Sequence, residues 1–120
     1  MLIFALMLAS PTPLTETHQR DIACVVEVAI LADAQKRGHA LGADVQASGR
    51  RWAGIVGDRI TTETGQPREV VAVAMTEAAR ARAGKTVDAV YLSACARQMA
   101  GELAIVDAAD APLPKPVKSQ

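Results

Sequence analysis

An all-α, four-helix bundle-like single domain is predicted for this chain by three observations. Alanine makes up about a fifth of it and aromatic residues are almost absent; alanine is the strongest helix former, whereas sheets draw on β-branched and aromatic side chains. Apolar residues recur every three to four positions in several stretches separated by turns containing glycine or proline. The chain is 120 residues long, enough for one core and rarely two. Short connections between successive stretches favour antiparallel packing of neighbours.

The chain opens with MLIFALMLASPTP, an apolar run of about nine residues that is too short to cross a bilayer but matches a signal-peptide hydrophobic region. Export is the preferred reading of residues 1–12, with a mature chain starting between Pro11 and Thr15. No Lys or Arg precedes the run, and Leu8, Ala9 and Ser10 followed by Pro11 make an imperfect cleavage signal. The other reading is a hydrophobic strap folded onto the core.

Residues 13–109 form the helical domain. The first helix is expected from Thr15 to Arg37, with Thr15 as N-cap, Glu16 complementing the dipole, and Lys36, Arg37 and Gly38 as the stop. Ile22, Val25, Val26, Ala29, Ile30 and Ala32, joined by Cys24, Val28 and Leu31, make its surface apolar enough for a central position. A second helix, Asp44 to Glu63, is marked by Val45, Gly49, Trp52, Val56 and Ile60. Gly49, Gly54 and Gly57 weaken it by about 1 kcal/mol each where exposed, which leaves a late start at Ser48, or a kink, as the alternative.

TGQPRE marks the next turn, with Pro67 at the first position of a third helix that buries Val70, Val71, Ala74, Met75 and Ala78 and stops at RARAGK. The fourth follows an N-cap at Thr86, with Asp88 in its first turn; Leu92, Cys95, Met99, Leu103 and Val106 share one face. The tail from 110 to 120 contains APLPKPVKSQ and reads as disordered.

Cys24 and Cys95, the only cysteines, both point to the core, from the first and last helices and at similar heights. An even count in a short chain with an export-like start predicts a disulfide in an oxidising compartment, periplasmic or extracellular. Closing a loop of 71 positions stabilises by about 4 kcal/mol in the chain-entropy model. The competing reading is two buried free thiols.

Zero formal net charge excludes a polycation for nucleic acid. The sequence lacks Cys-x-x-Cys, Glu-x-x-His pairs, a Gly-x-Ser-x-Gly elbow and a phosphate loop, so no catalytic residue, cofactor or metal set is assigned. His18 and Asp21 are spaced to share a metal, although such a pair is more often a solvated helix end. GRRWAG sets Arg50 and Arg51 beside the sole tryptophan, and Arg59 extends that side. Together with Trp52 they form a candidate binding patch, weighed against a core Trp52 with solvated arginines. Arg80, Arg82 and Lys85 similarly suit an anion or a helix C-terminus.

Three functions remain open. The favoured one is a noncatalytic exported protein that binds another protein or serves in envelope stress, with no stable membrane span in its mature chain. The second is a small ligand in the bundle interior with the arginines at its mouth. The third is an enzyme built from several helices, for which Arg51, Asp58 and Glu77 would have to share one cleft.

Overall fold

The computed structural model describes residues 10–36 and 45–110, with the side chains of residues 34–36 left out. Four helices follow one another: α1 (Glu16–Lys36), α2 (Val45–Thr64), α3 (Arg68–Arg82) and α4 (Ala89–Asp110). No strand occurs among the described residues. The apolar run of residues 1–9, the exit of the first helix with Arg37, Gly38 and His39, and the proline-rich tail from residue 111 lie outside them.

Each helix start has a local cause. Thr15 caps α1 through its hydroxyl, which accepts the His18 N–H at 3.2 Å; His18 Nδ1 accepts the Thr15 N–H at 3.0 Å in return. This is the reciprocal capping box, with an imidazole where a carboxylate usually stands. At α4 the cap is Asp88 and not Thr86: its Oδ1 accepts the N–H groups of Val90 and Tyr91 at 3.0 and 3.1 Å. A carboxylate binds those orphan donors more strongly than a hydroxyl does. Pro67 sits one position earlier than expected, as the extended residue before α3. Gly65, at φ 71°, ends α2 and donates to the Thr61 carbonyl at 2.9 Å.

The segment before α1 is tied down. Thr12 N–H donates to the Thr64 carbonyl at 2.9 Å, and Gln66 Nε2 donates to the Thr12 carbonyl at 3.0 Å. The chain is therefore anchored to the end of α2 from Thr12 onward.

α1 and α2 form a central pair, and α3 and α4 each lie against both. The backbones of α3 and α4 do not come within packing distance of each other, unlike neighbours in a square up-down-up-down ring. α1 can serve three neighbours because Ile22, Val25, Val26 and Val28 bury most of its circumference. Trp52, Val56 and Ile60 from α2, Val71 from α3, and Cys95, Met99 and Leu103 from α4 complete the core. Val70, expected inside, is instead 37% exposed, because α3 has α1 and α2 on one side and no other described helix against its other flank.

α2 runs unbroken through its glycines. At Gly49 an added Cβ would lie 3.3 Å from Val28 Cγ1, so the missing side chain lets α1 and α2 approach closely. Gly54 and Gly57 face open space. Gly54→Ala and Gly57→Ala are accordingly expected to stabilise by about 0.5–1 kcal/mol each. Gly49→Ala gains the same propensity but pushes a fully buried valine, and is expected to be neutral or destabilising. Urea melts of the three variants check this; equal gains at all three would contradict the close crossing.

Candidate functional site

The Cys24 and Cys95 sulfurs are bonded at 2.02 Å, with Cα atoms 5.0 Å apart, and join α1 to α4 inside the core. Helical spacing put each cysteine on the buried stripe of its own helix. The two stripes meet because the helices run antiparallel: Asp21 reaches Gln98 on one side of the bridge, and Glu27 lies near Tyr91 on the other.

The residues of GRRWAG and Arg59 are not gathered into a patch. Trp52 is fully buried in the core. Arg51 turns to α4 and binds Asp107, whose carboxyl that bond holds below its usual range. Arg59 bridges α1 and α4, donating to Asp21 at 3.2 Å and to Glu102 at 2.7 Å. Arg50 is exposed at the rim of an α1–α2 cleft of about 310 Å³ lined by Val25, Ala29, Ala32, Gly49 and Ala53, with Asp33 and Gln46 also at its edge. The arginines diverge because positions 50, 51 and 59 point about 80–180° apart around α2.

The Arg59 cluster is the main polar feature between helices. Gln98 Nε2 donates to Asp21 at 2.9 Å and to Glu102 at 3.0 Å, so both carboxylates are shared between a cation and an amide. Burial opposes the charge on Arg59, but Glu102, Asp21 and Glu63 together raise its pKa. Burial likewise pushes Glu102 up, and the bonds from Arg59 and Gln98 outweigh it, leaving its pKa below the ordinary 4.5. The Trp52 indole N–H adds to that lowering, yet it completes no hydrogen bond of ordinary geometry; its pull on Glu102 is that of a nearby dipole.

A depressed carboxylate stabilises the fold fully above its unfolded pKa, and that contribution disappears as acid protonates the folded state. The stability supplied by Glu102 is therefore expected to hold above pH 4.5 and to fall below it, with Asp107 following below its ordinary 3.8. Arg59→Met should flatten this acid limb while lowering stability at neutral pH, since it strands two carboxylates. Urea melts from neutral pH into the acid range read both effects, and an unchanged acid limb in the variant would exclude the assignment.

Two further ties complete the frame. Glu27, buried in α1, holds Arg82 of α3 through two contacts, the longer at 3.4 Å; Arg82 also donates to the Lys85 carbonyl at 2.7 Å. Burial, and then the Glu27 charge, raise the pKa of the neighbouring Tyr91. His18 is buried, not a solvated helix end, and its Nε2 meets Glu63 of α2 at 2.9 Å. Because Nδ1 accepts from Thr15, Nε2 carries the proton in this arrangement. Asp21 turns away to Arg59, so the spacing from His18 to Asp21 serves two separate ties and not one metal.

No family model, curated protein or solved structure matches this chain.

Arg51, Asp58 and Glu77 do not share a cleft. Arg51 faces Asp107, Asp58 binds Arg68 at 2.9 Å, and Glu77 stands exposed on α3. Among the described residues no three His, Cys, Asp or Glu side chains meet as a metal site. Among the described residues no helix is long and apolar enough to cross a membrane. Of the C-terminal cations of α3, Arg82 is consumed by Glu27, while Arg80 and Lys85 are exposed.

Sequence reading missed Glu27, Gln98 and Glu102 as interhelical ties. Glu27 did carry a signal: a lone charge inside ACVVEVAI must find a partner wherever both flanks are buried. His18 carried one too, three residues after the cap. Gln98 and Glu102 carried none, because only the approach of α4 to α1 and α2 pairs them.

Proposed function

We propose that this is an exported, disulfide-stabilised helical protein without catalytic chemistry of its own, which acts by binding other proteins in the periplasm or outside the cell. The observation carrying this reading is the bridge between Cys24 and Cys95, since such bonds persist in oxidising compartments and are rare in the cytosol. The anchored start of the chain supports it: cleavage at Pro11 or before would remove the apolar run and keep the Thr12 bonds to α2. The commitment of Arg51, Arg59, Arg82, Glu27 and His18 to ties between helices also supports it. Such groups define the shape of the domain and leave recognition to its outer faces.

Mass spectrometry of the natively expressed protein, with and without reductant, tests the reading. The expected species begins near Pro11 and gains two hydrogens on reduction. A chain that keeps residues 1–9 and has both thiols free would defeat it.

The apolar α1–α2 cleft rimmed by Arg50 favours a second reading, capture of a small anionic amphiphile. Calorimetric titration with a medium-chain carboxylate should then show binding that Arg50→Glu abolishes.

A further inference from the structure

We infer that the link between α3 and α4 is a cleavage site for a protease specific for basic residues: hydrolysis of the Lys85–Thr86 bond leaves a two-chain domain held together by the Cys24–Cys95 bridge. This goes beyond the proposed function and rests on the fold and the bridge alone. The link runs from Ala83 to Asp88, and every residue in it is exposed. Because α3 and α4 do not pack on each other, it crosses a gap between them. Thr86 and Val87 make no hydrogen bond among the described residues. Lys85 is held only by its exchange with Arg82, donating to the Arg82 carbonyl at 3.2 Å and accepting from the Arg82 guanidinium at 2.7 Å. A protease takes its substrate as an extended strand, so bonds within a helix are shielded until that helix opens, whereas a link with so few hydrogen bonds opens readily.

The side chain selects the enzyme class. Among the described residues Lys85 is the one Lys or Arg outside a helix; Arg80 and Arg82 lie in the last turn of α3, and Arg82 is pinned to Glu27. The Lys85 ammonium has no ion pair among the described residues, so it can enter an acidic specificity pocket. Ala83 and Gly84 before it add little bulk, and no proline follows it. Hydrolysis adds one water across the bond, leaving a carboxylate on Lys85 and a new amino terminus on Thr86. Cys24 lies before the cut and Cys95 after it, so the two pieces stay covalently joined. α4 also keeps its ties to α1 and α2, from Gln98 to Asp21 and from Glu102 to Arg59. In the intact chain a reduced α4 remains tethered by the link at high effective concentration. In the cut chain, a dithiol that reduces the bridge is itself oxidised to a disulfide, and it turns the packing of α4 into an association of separate molecules. Release of α4 therefore requires both events.

Brief digestion of the oxidised full chain with trypsin, followed by mass mapping of the new termini, tests the inference. The terminus at Thr86 is expected to appear at least about tenfold faster than any terminus created within the four helices. The product should run as one covalent species without reductant, keep its helical circular dichroism, and separate on reduction, with the α4 fragment eluting alone in gel filtration. Lys85→Gln should remove the early cut and leave the melting curve unchanged, since the side chain is exposed. Cuts within a helix that precede the one at Thr86 would overturn the inference, as would a Lys85–Thr86 bond that is cleaved only in urea. Loss of helicity in the oxidised two-chain product would show that the link, and not the bridge, holds α4. That result would overturn it too, as would cut and reduced pieces that stay together.

Discussion

Reducing the Cys24–Cys95 bridge, or replacing both cysteines by alanine, is expected to destabilise the domain by about 3–4 kcal/mol and lower its melting temperature by roughly 15–25 °C. The bond closes a loop of 71 positions, so its removal frees a long denatured chain. The native side of the balance adds to the effect. α4 is held inside by three residues, one of them Cys95, and has no backbone contact with α3, so less apolar area holds α4 in place than holds α1 or α2. Total stability of domains this size is only about 5–15 kcal/mol, so the reduced protein should sit near the edge of folding, with α4 loosened relative to the α1–α2 pair. Thermal melts by circular dichroism, with and without reductant, measure this. A melting temperature that does not move would mean that the core holds α4 unaided.

Trp52→Ala is expected to cost about 3–5 kcal/mol, and Trp52→Phe clearly less, because alanine leaves a cavity that phenylalanine partly fills. Trp52 is fully buried at the junction of α1, α2 and α4, and its indole N–H stands without a completed hydrogen bond. Phenylalanine thus removes an unsatisfied donor along with some volume, which offsets part of its loss. As the sole tryptophan it also reports on the core: its emission should be blue-shifted when native and red-shifted in urea. Denaturant melts of the two variants give the difference. A Trp52→Ala loss no larger than that of an exposed substitution would place Trp52 on the surface and reopen the binding patch.

The four helices were legible in the sequence, within a residue or two at most ends, because each rests on local chemistry. Thr15, Gly65 and Gly84 act on the turn beside them, and the three-to-four spacing of Val45, Gly49, Trp52, Val56 and Ile60 identifies a helix without reference to the rest of the chain. The fourth start was misplaced by two residues because Thr86 and Asp88 both cap well, and only the backbone path chooses between them. The basic cluster around Trp52 was a cluster only in sequence. Neighbours one position apart on a helix point away from each other, and Arg50, Arg51 and Arg59 found three different surroundings.

The sequence by itself determined the helical class and the inward direction of both cysteines, since composition, caps and periodicity act over a turn or two of chain; for Trp52 it left core and surface both open. Only the tertiary structure decided that α1 and α2 form the central pair, that Arg59 gathers Asp21 and Glu102, and that α3 and α4 do not pack on each other. Those outcomes depend on which helices approach one another. That choice balances the whole apolar surface against the pairing of buried charges, and no single segment contains it.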